Sequence, residues 1–107
     1  MAGRPEADAK GFVGILAVEL HFPELGSLKA KRMFLRRLRD TVSRRYSASV
    51  SEVAYQDLWQ RSRVLIAVAA SDTSSLDRTL NAINGYLYSQ DWNVIDIQEE
   101  VVEIDGA

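Results

Sequence analysis

The sequence predicts an α+β domain of the ferredoxin-like type, a four-stranded antiparallel sheet with two helices on one face. Three observations lead to this prediction. The length of 107 residues suits a single domain, two stretches have helical periodicity, and four are β-rich and alternate in polarity. Their order is β-α-β-β-α-β, which makes two split crossover units. We expect the domain to cover residues 12–104, between a flexible tail at 1–11 and a short tail at 105–107.

The first strand and the first helix are predicted from adjacent segments. The strand covers FVGILAVELHF at 12–22, because these residues alternate between two faces. Pro23 and Gly26 end it, and Ser27 occupies the N-cap position of a helix. This helix has roughly 18 residues, since its apolar side chains recur at steps that form one stripe. They are Leu28, Phe34, Leu35, Leu38, Val42 and Tyr46.

A hairpin, a second helix and a last strand complete the predicted fold. The hairpin strands lie at 50–55 and 63–70, which are apolar and β-branched, with the polar QDLWQRS between them. Asp72 is placed to cap the second helix. The last strand starts from Trp92, and its alternation slips near 99–100, where we expect a bend or a β-bulge.

The composition limits the chemistry that the protein can perform. The absence of cysteine excludes disulfides and thiolate sites, and a single histidine, His21, excludes a multi-histidine zinc site. Glu19 and His21 share a strand face and could form an acid–base pair, although a strand end that reaches solvent has the same pattern. We therefore expect no catalytic residues, metal or cofactor. Without a secretory or membrane-spanning segment, we expect a cytoplasmic protein and no membrane partner.

Charge is the most unusual feature of the sequence. The net charge is -2, yet eight of the thirteen Lys and Arg residues lie at 29–45, where Asp40 is the single acid. Helical spacing places six of them on a basic face that could bind phosphates: Lys29, Arg32, Arg36, Arg37, Arg39 and Arg44. The predicted nucleic-acid-binding residues are Lys29, Lys31, Arg32, Arg36, Arg37, Arg39 and Arg44. The alternative is a solvated helix face whose charges pair with the acidic carboxyl end at 91–105.

The hairpin connection carries a large apolar side chain, Trp59, in a polar segment. Trp59 could stack on a base or dock a partner. Alternatively, it folds over the edge of the core while Gln56 and Asp57 satisfy the turn backbone. The predicted partner- or ligand-contacting residues are Gln56, Asp57, Trp59, Gln60 and Arg61.

The sheet face without helices is predicted to consist of small and aliphatic residues. Its positions are Val13, Ile15 and Ala17 on the first strand and Leu65, Ala67 and Ala69 on the third. All of these except Ala69 form the predicted dimer face. None is aromatic, which argues against the base stacking of RNA-recognition motifs. Such a face is typical of burial against another subunit, so we expect a homodimer, with a monomer bound to a partner protein as the alternative.

Two sequence patterns resemble the YlxP-like family of uncharacterised bacterial proteins. They are H-x-P-x-x-x-S-L-K-x-K-R, from His21 to Arg32, and E-V-x-x-Q-D-L-W-Q-R, from Glu52 to Arg61. Together with ASDTSSLD at 70–77, they extend the resemblance over about 12–104. The motif-matched residues are Ser27, Lys29, Lys31, Arg32, Gln56, Asp57, Trp59, Gln60 and Arg61.

The resemblance implies a ferredoxin-like fold and no established catalytic residues. It also implies a role with ribosomal RNA or a ribosomal subunit, because genes of the family lie near translation-initiation and ribosome-maturation genes. Ala30 stands where an acid is common, and Tyr55 where a histidine is common. We therefore expect an RNA- or ribosome-associated protein. The alternative is a dimeric module that binds a small ligand or a protein through the open sheet face and the Trp59 turn.

Overall fold

A computed structural model describes residues 9–23 and 26–105. The elements are β1 (Lys10–His21), α1 (Leu28–Tyr46), β2 (Ser49–Ala54), β3 (Arg61–Ala70), α2 (Thr73–Tyr88) and β4 (Asn93–Asp105). The strands form one sheet in the order β2-β3-β1-β4, and each neighbouring pair is antiparallel. The predicted ferredoxin-like α+β architecture is confirmed.

The sheet is slightly longer than the predicted domain. Lys10 and Gly11, which we expected in the amino-terminal tail, pair with Asp105 and Ile104 of β4. Asp105, which we expected in the carboxyl-terminal tail, therefore belongs to the sheet as well. The rest of the two predicted tails, apart from Ala9, lies outside the described residues.

Both helices begin at the predicted capping residues. The Ser27 hydroxyl accepts a hydrogen bond from the Ala30 backbone N–H at 3.1 Å, and the Asp72 carboxylate accepts one from the Ser75 backbone N–H at 2.7 Å. Each cap satisfies a backbone donor that a helix leaves without a partner in its first turn. The hydrogen bonds from Ser75 also hold the pKa of the Asp72 carboxyl below its ordinary value.

The core lies between the two helices and one face of the sheet. The buried strand residues alternate as predicted: Leu16, Val18 and Leu20 on β1, and Val64, Ile66 and Val68 on β3. Gly14 allows α2 to approach β1 closely, because a Cβ at this position would lie 2.8 Å from Leu80 Cδ1 and 2.9 Å from Leu76 Cδ1. The packing of α2 therefore depends on the absence of a side chain at position 14.

Aromatic side chains form a cluster within the core around Trp92. The Trp92 ring makes edge-on contacts with Phe22, Phe34 and Tyr86, at centroid distances of 6.2 to 6.3 Å. Its indole Nε1 donates a hydrogen bond to the Leu87 carbonyl at 2.9 Å. This buried polar group is thereby satisfied, and the chain is fixed where it enters β4.

The irregularities of the sheet differ from the predicted bulge. The register between β1 and β4 shifts at Ile95, whereas residues 99–100 pair regularly with residues 15–16. A second shift lies at Val53 in β2. The prediction of a bulge near 99–100 is wrong because residues 98–105 of β4 are exposed on both faces of the sheet. Burial does not constrain their polarity, so the loss of alternation there carries no information about register.

Candidate nucleic-acid interface

The two sequence motifs meet at the buried side chain of Lys31. Lys31 is 1% exposed, and its Nζ lies 2.8 Å from Oε2 of Glu52 on β2. It also donates hydrogen bonds to the backbone carbonyls of Tyr55, Leu58 and Arg61 at 2.7, 2.5 and 2.9 Å. A lysine ammonium has three N–H donors and one positive charge. The three carbonyls accept its hydrogen bonds, and the Glu52 carboxylate balances its charge. Lys31 therefore fixes the connection from Tyr55 to Arg61, which we call the 55–61 turn.

The prediction that Lys31 binds phosphate is wrong, because its ammonium is inside the protein. Position 31 lies three residues after Leu28 and four residues before Leu35, which places it on the apolar stripe of α1. The carbonyls of the 55–61 turn provide a polar site for it there. A lysine at a stripe position was the signal in the sequence for a buried cation.

The 55–61 turn presents Trp59 to solvent. Trp59 is 45% exposed, so the interpretation that it covers the edge of the core is wrong. Gln56, Asp57, Leu58 and Gln60 are exposed as well. The turn backbone is held by Lys31 and by a hydrogen bond from the Leu58 N–H to the Tyr55 carbonyl at 3.0 Å. Among the described residues, Gln56 and Asp57 make no side-chain hydrogen bond that would support it.

Glu19 is surrounded by cations on the open face of the sheet. Its carboxylate lies 3.1 Å from Arg61 Nη2 and 3.5 Å from Arg63 Nη1, and it accepts a 3.4 Å hydrogen bond from the Tyr55 hydroxyl. The Arg61 guanidinium also lies over the Tyr55 ring, 4.3 Å from its centroid. Within the described ranges, the hydrogen-bond partners of Glu19 are these groups and not His21, so the candidate acid–base pair is not formed.

The exposed cations of α1 form what we call the basic face. Its members are Lys29, Arg32, Arg36, Arg37, Arg39, Arg44 and Arg45. No ion pair joins any of them to a carboxylate of residues 9–23 or 26–105. α1 lies against β2, whereas the acidic β4 is at the opposite edge of the sheet. The fold thus keeps the basic helix apart from the acidic strand. The described structure lacks the ion pairs that would neutralise the helix face.

A groove between α1 and β2 borders the basic face. It has a volume of about 240 Å³. Its rim carries Arg32, Arg36 and Arg39, and its apolar lining consists of Leu35, Val50 and Val64. Glu52 also lines it; Oε2 of this carboxylate binds Lys31 Nζ at 2.8 Å and Ser62 Oγ at 2.7 Å. The groove combines cationic, apolar and hydrogen-bond-accepting surface in one place.

The five predicted dimer-face positions lie together on the open face of the sheet. In the register of β1 and β3, Ile15 is opposite Ala67 and Ala17 is opposite Leu65, with Val13 one pair further along the face. Leu65 is 39% exposed, and the others are half-buried. The exposed Val102 of β4 pairs with Val13 and extends the apolar surface toward the sheet edge.

The described residues contain neither a metal cluster nor a membrane span. In the ranges 9–23 and 26–105, no group of three or more histidine, aspartate or glutamate side chains could hold a metal ion. No helix in this part of the chain is long and apolar enough to cross a membrane.

The fold and the site define a ferredoxin-like protein with an exposed basic helix and a turn held by a buried lysine. The chain belongs to the family described as "Protein of unknown function (DUF503)", whose sequence profile matches residues 13–99. It is also similar to "Uncharacterized protein YlxP" of Bacillus subtilis (strain 168), with 32% identity over 77 residues, which are 72% of this chain and 84% of that protein. The resemblance to the YlxP-like family is confirmed.

Solved structures share the fold with little sequence identity. A VAO-type flavoprotein from Myceliophthora thermophila matches with a TM-score of 0.53 and 13% identity, over 87% of this chain and 16% of the flavoprotein. The de novo designed protein Foldit4 matches with a TM-score of 0.50 and 15% identity, over 88% of this chain and 96% of the design. At such low identities, the likeness concerns the fold alone.

Proposed function

We propose that this protein is a non-enzymatic cytoplasmic RNA-binding factor that contacts phosphates through the basic face of α1. The supporting observation is that the arginines of this face are exposed and form no ion pair with a carboxylate in the described chain. Ribosomal RNA, free or within a ribosomal subunit, is the partner that the family resemblance implies.

Arginine spacing on α1 suits a polyanion. Arg32, Arg36 and Arg39 lie on one flank of the helix and cover about 10 Å of its axis. A guanidinium donates two parallel hydrogen bonds to a phosphate. Successive phosphates of one RNA strand could therefore each contact an arginine. Such binding does not depend on the base sequence.

Charge reversal on the two helices tests the proposal. We would measure binding of a fluorescent RNA hairpin by anisotropy for the wild type, Arg36→Glu on α1 and Arg78→Glu on α2. The two substitutions change the net charge equally. Arg36→Glu is expected to weaken binding about tenfold or more, because it replaces a phosphate contact by a repulsion. Arg78→Glu should change it less than about twofold. Equal losses would contradict binding through α1.

A second candidate function is a dimeric interaction module that uses the open sheet face. A two-fold axis along β1 would set β3 of one copy over β4 of the other and place Arg63 opposite Asp96 of the partner subunit. Arg63 and Asp96 each pair with Glu19 in the register, so both lie with it on the open face of the sheet. The aliphatic residues beside them would be buried in the same contact. The exposed Trp59 would then be available for a small ligand or a partner protein.

The mass in solution tests this second candidate. Light scattering should give twice the 12.0 kDa of the chain for the wild type. Ile15→Glu, in the centre of the face, should give a monomer, and Met33→Glu, on the exposed side of α1, should leave the dimer intact. A monomeric wild type at about 100 μM would contradict a stable homodimer.

A further inference from the structure

We propose that the groove between α1 and β2 binds one unpaired nucleotide of the RNA, with its base against the apolar lining and its phosphates on the arginine rim. This inference rests on the proposed function and adds a ligand chemistry to it. Phosphate binding alone would require only the exposed side of α1. The groove adds a surface that a paired, stacked base cannot reach.

The lining of the groove suits the face of a base. The half-buried Leu35 and Val50 and the buried Val64 provide its aliphatic surface. An unstacked base exposes an apolar face to water, so burial on such a surface stabilises the flipped-out state. The rim guanidinium groups of Arg32 and Arg36 are planar and can stack on the other side of the base.

Glu52 supplies a polar contact within the groove. Oε2 of this carboxylate binds Lys31 and Ser62, which fixes its orientation. In the described structure Oε1 takes part in neither contact and can accept a hydrogen bond from a ligand. Exocyclic amino groups of cytosine, adenine and guanine are suitable donors, whereas uracil has carbonyl groups on both sides of its single N–H. The site should therefore favour a base with an amino group.

The charges around the groove agree with a nucleotide. Its three arginines are exposed, whereas the Glu52 side chain is 19% exposed and the Lys31 ammonium balances its charge. A phosphate at the rim meets cations, while an amino group deeper in the groove meets the carboxylate. An acidic ligand that filled the whole groove would instead place its carboxylates against Glu52.

Hairpins that differ by one bulged nucleotide test this inference. The probes are a fully paired RNA hairpin and two hairpins of the same stem with one bulged C or one bulged U, compared at one salt concentration. We expect the bulged-C hairpin to bind about tenfold more tightly than the paired one, which is within the range for stacking of one base. The bulged-U hairpin should lie between them.

Two valine substitutions on β2 provide the matched variants. Val50→Phe fills the groove without a change of charge and is expected to remove the preference for the bulged C while paired-hairpin binding stays. Val53→Phe, at the exposed bulge outside the groove, should keep the preference. Urea unfolding of both variants checks that they are folded.

Each result separates the two proposals. If the wild type binds all three hairpins equally well, or Val53→Phe removes the preference as Val50→Phe does, the nucleotide site is wrong and phosphate binding by α1 stands. If the wild type binds none of the hairpins, the proposed function fails and the nucleotide site fails with it.

Discussion

The Nζ atom of Lys31 lies 2.8 Å from Oε2 of Glu52, and these two residues come from the two different sequence motifs of the chain. The contact joins the two motifs in the folded protein. One motif provides the helix and its buried cation, and the other provides the carboxylate and the 55–61 turn that the cation holds. Their shared structural result is a turn of fixed shape that exposes Trp59.

Removal of the buried ammonium should destabilise the protein strongly. Lys31→Met removes the cation that balances the Glu52 carboxylate and one hydrogen-bond donor from each of three carbonyls. We expect the free energy of unfolding to fall by about 3–5 kcal/mol. Lys29→Met, on the exposed side of the same helix, should change it by less than about 0.5 kcal/mol. Urea denaturation measures both values. Similar values for the two variants would mean that the ammonium contributes nothing to the fold.

Gly14 of β1 and Gly85 of α2 should respond in opposite directions to the addition of a side chain. Gly14→Val places methyl groups where Leu76 and Leu80 already lie, so we expect a loss of about 1–3 kcal/mol in unfolding free energy. Gly85→Ala meets no atom within 4 Å and lies in α2, so we expect a gain of about 0.5–1 kcal/mol. Denaturation of both variants tests the close approach of α2 to β1, which a stable Gly14→Val protein would contradict.

Asp72 should make thermal stability depend on pH in the acidic range. The pKa of its carboxyl is lowered in the fold by the hydrogen bonds from Ser75, so the ionised form stabilises the native state above the ordinary pKa. This contribution is lost as the pH falls through the lowered pKa. Asp72→Ala should therefore have a lower Tm than the wild type at pH 7, and the difference should shrink below about pH 4. A constant difference between pH 7 and pH 2 would exclude the charge as its cause.

The two tryptophans should differ in their importance for folding. Trp92 is 5% exposed and donates a hydrogen bond to the Leu87 carbonyl, so Trp92→Ala should lower the unfolding free energy by about 3–5 kcal/mol. Trp59 is largely outside the core, and Trp59→Ala should lower it by less than about 1 kcal/mol. A large loss for Trp59→Ala would support the covering role that the structure argues against.

Local signals in the sequence predict most of the fold. The helix caps Ser27 and Asp72 act through backbone groups a few residues away, so their pattern is sufficient to place both helix starts. The sequence indicates the start of β3 less clearly, because Arg61 and Arg63 are polar residues on an open sheet face. The sequence alone places the strand start at Arg63, and the structure places it at Arg61.

The site depends on contacts that are distant in sequence. Helical spacing places position 31 on the apolar stripe of α1. The charge of Lys31 nevertheless assigns it to the basic face as long as the carbonyls of the 55–61 turn are unknown. The same limit applies to charge pairing, since the sequence cannot tell whether acids at 91–105 reach α1. The strand order answers this by placing β4 at the far edge of the sheet. The exposed members of the basic face, in contrast, follow directly from helical spacing.

The salt dependence of RNA binding tests the central claim most directly. If about five side chains of the basic face meet phosphates, the plot of log K against log salt should have a slope of about -3.5 for single-stranded RNA to about -4.5 for duplex RNA. Arg36→Glu should make this slope shallower by about one unit. A slope near zero for the wild type would contradict phosphate binding by α1, whatever slope Arg36→Glu has.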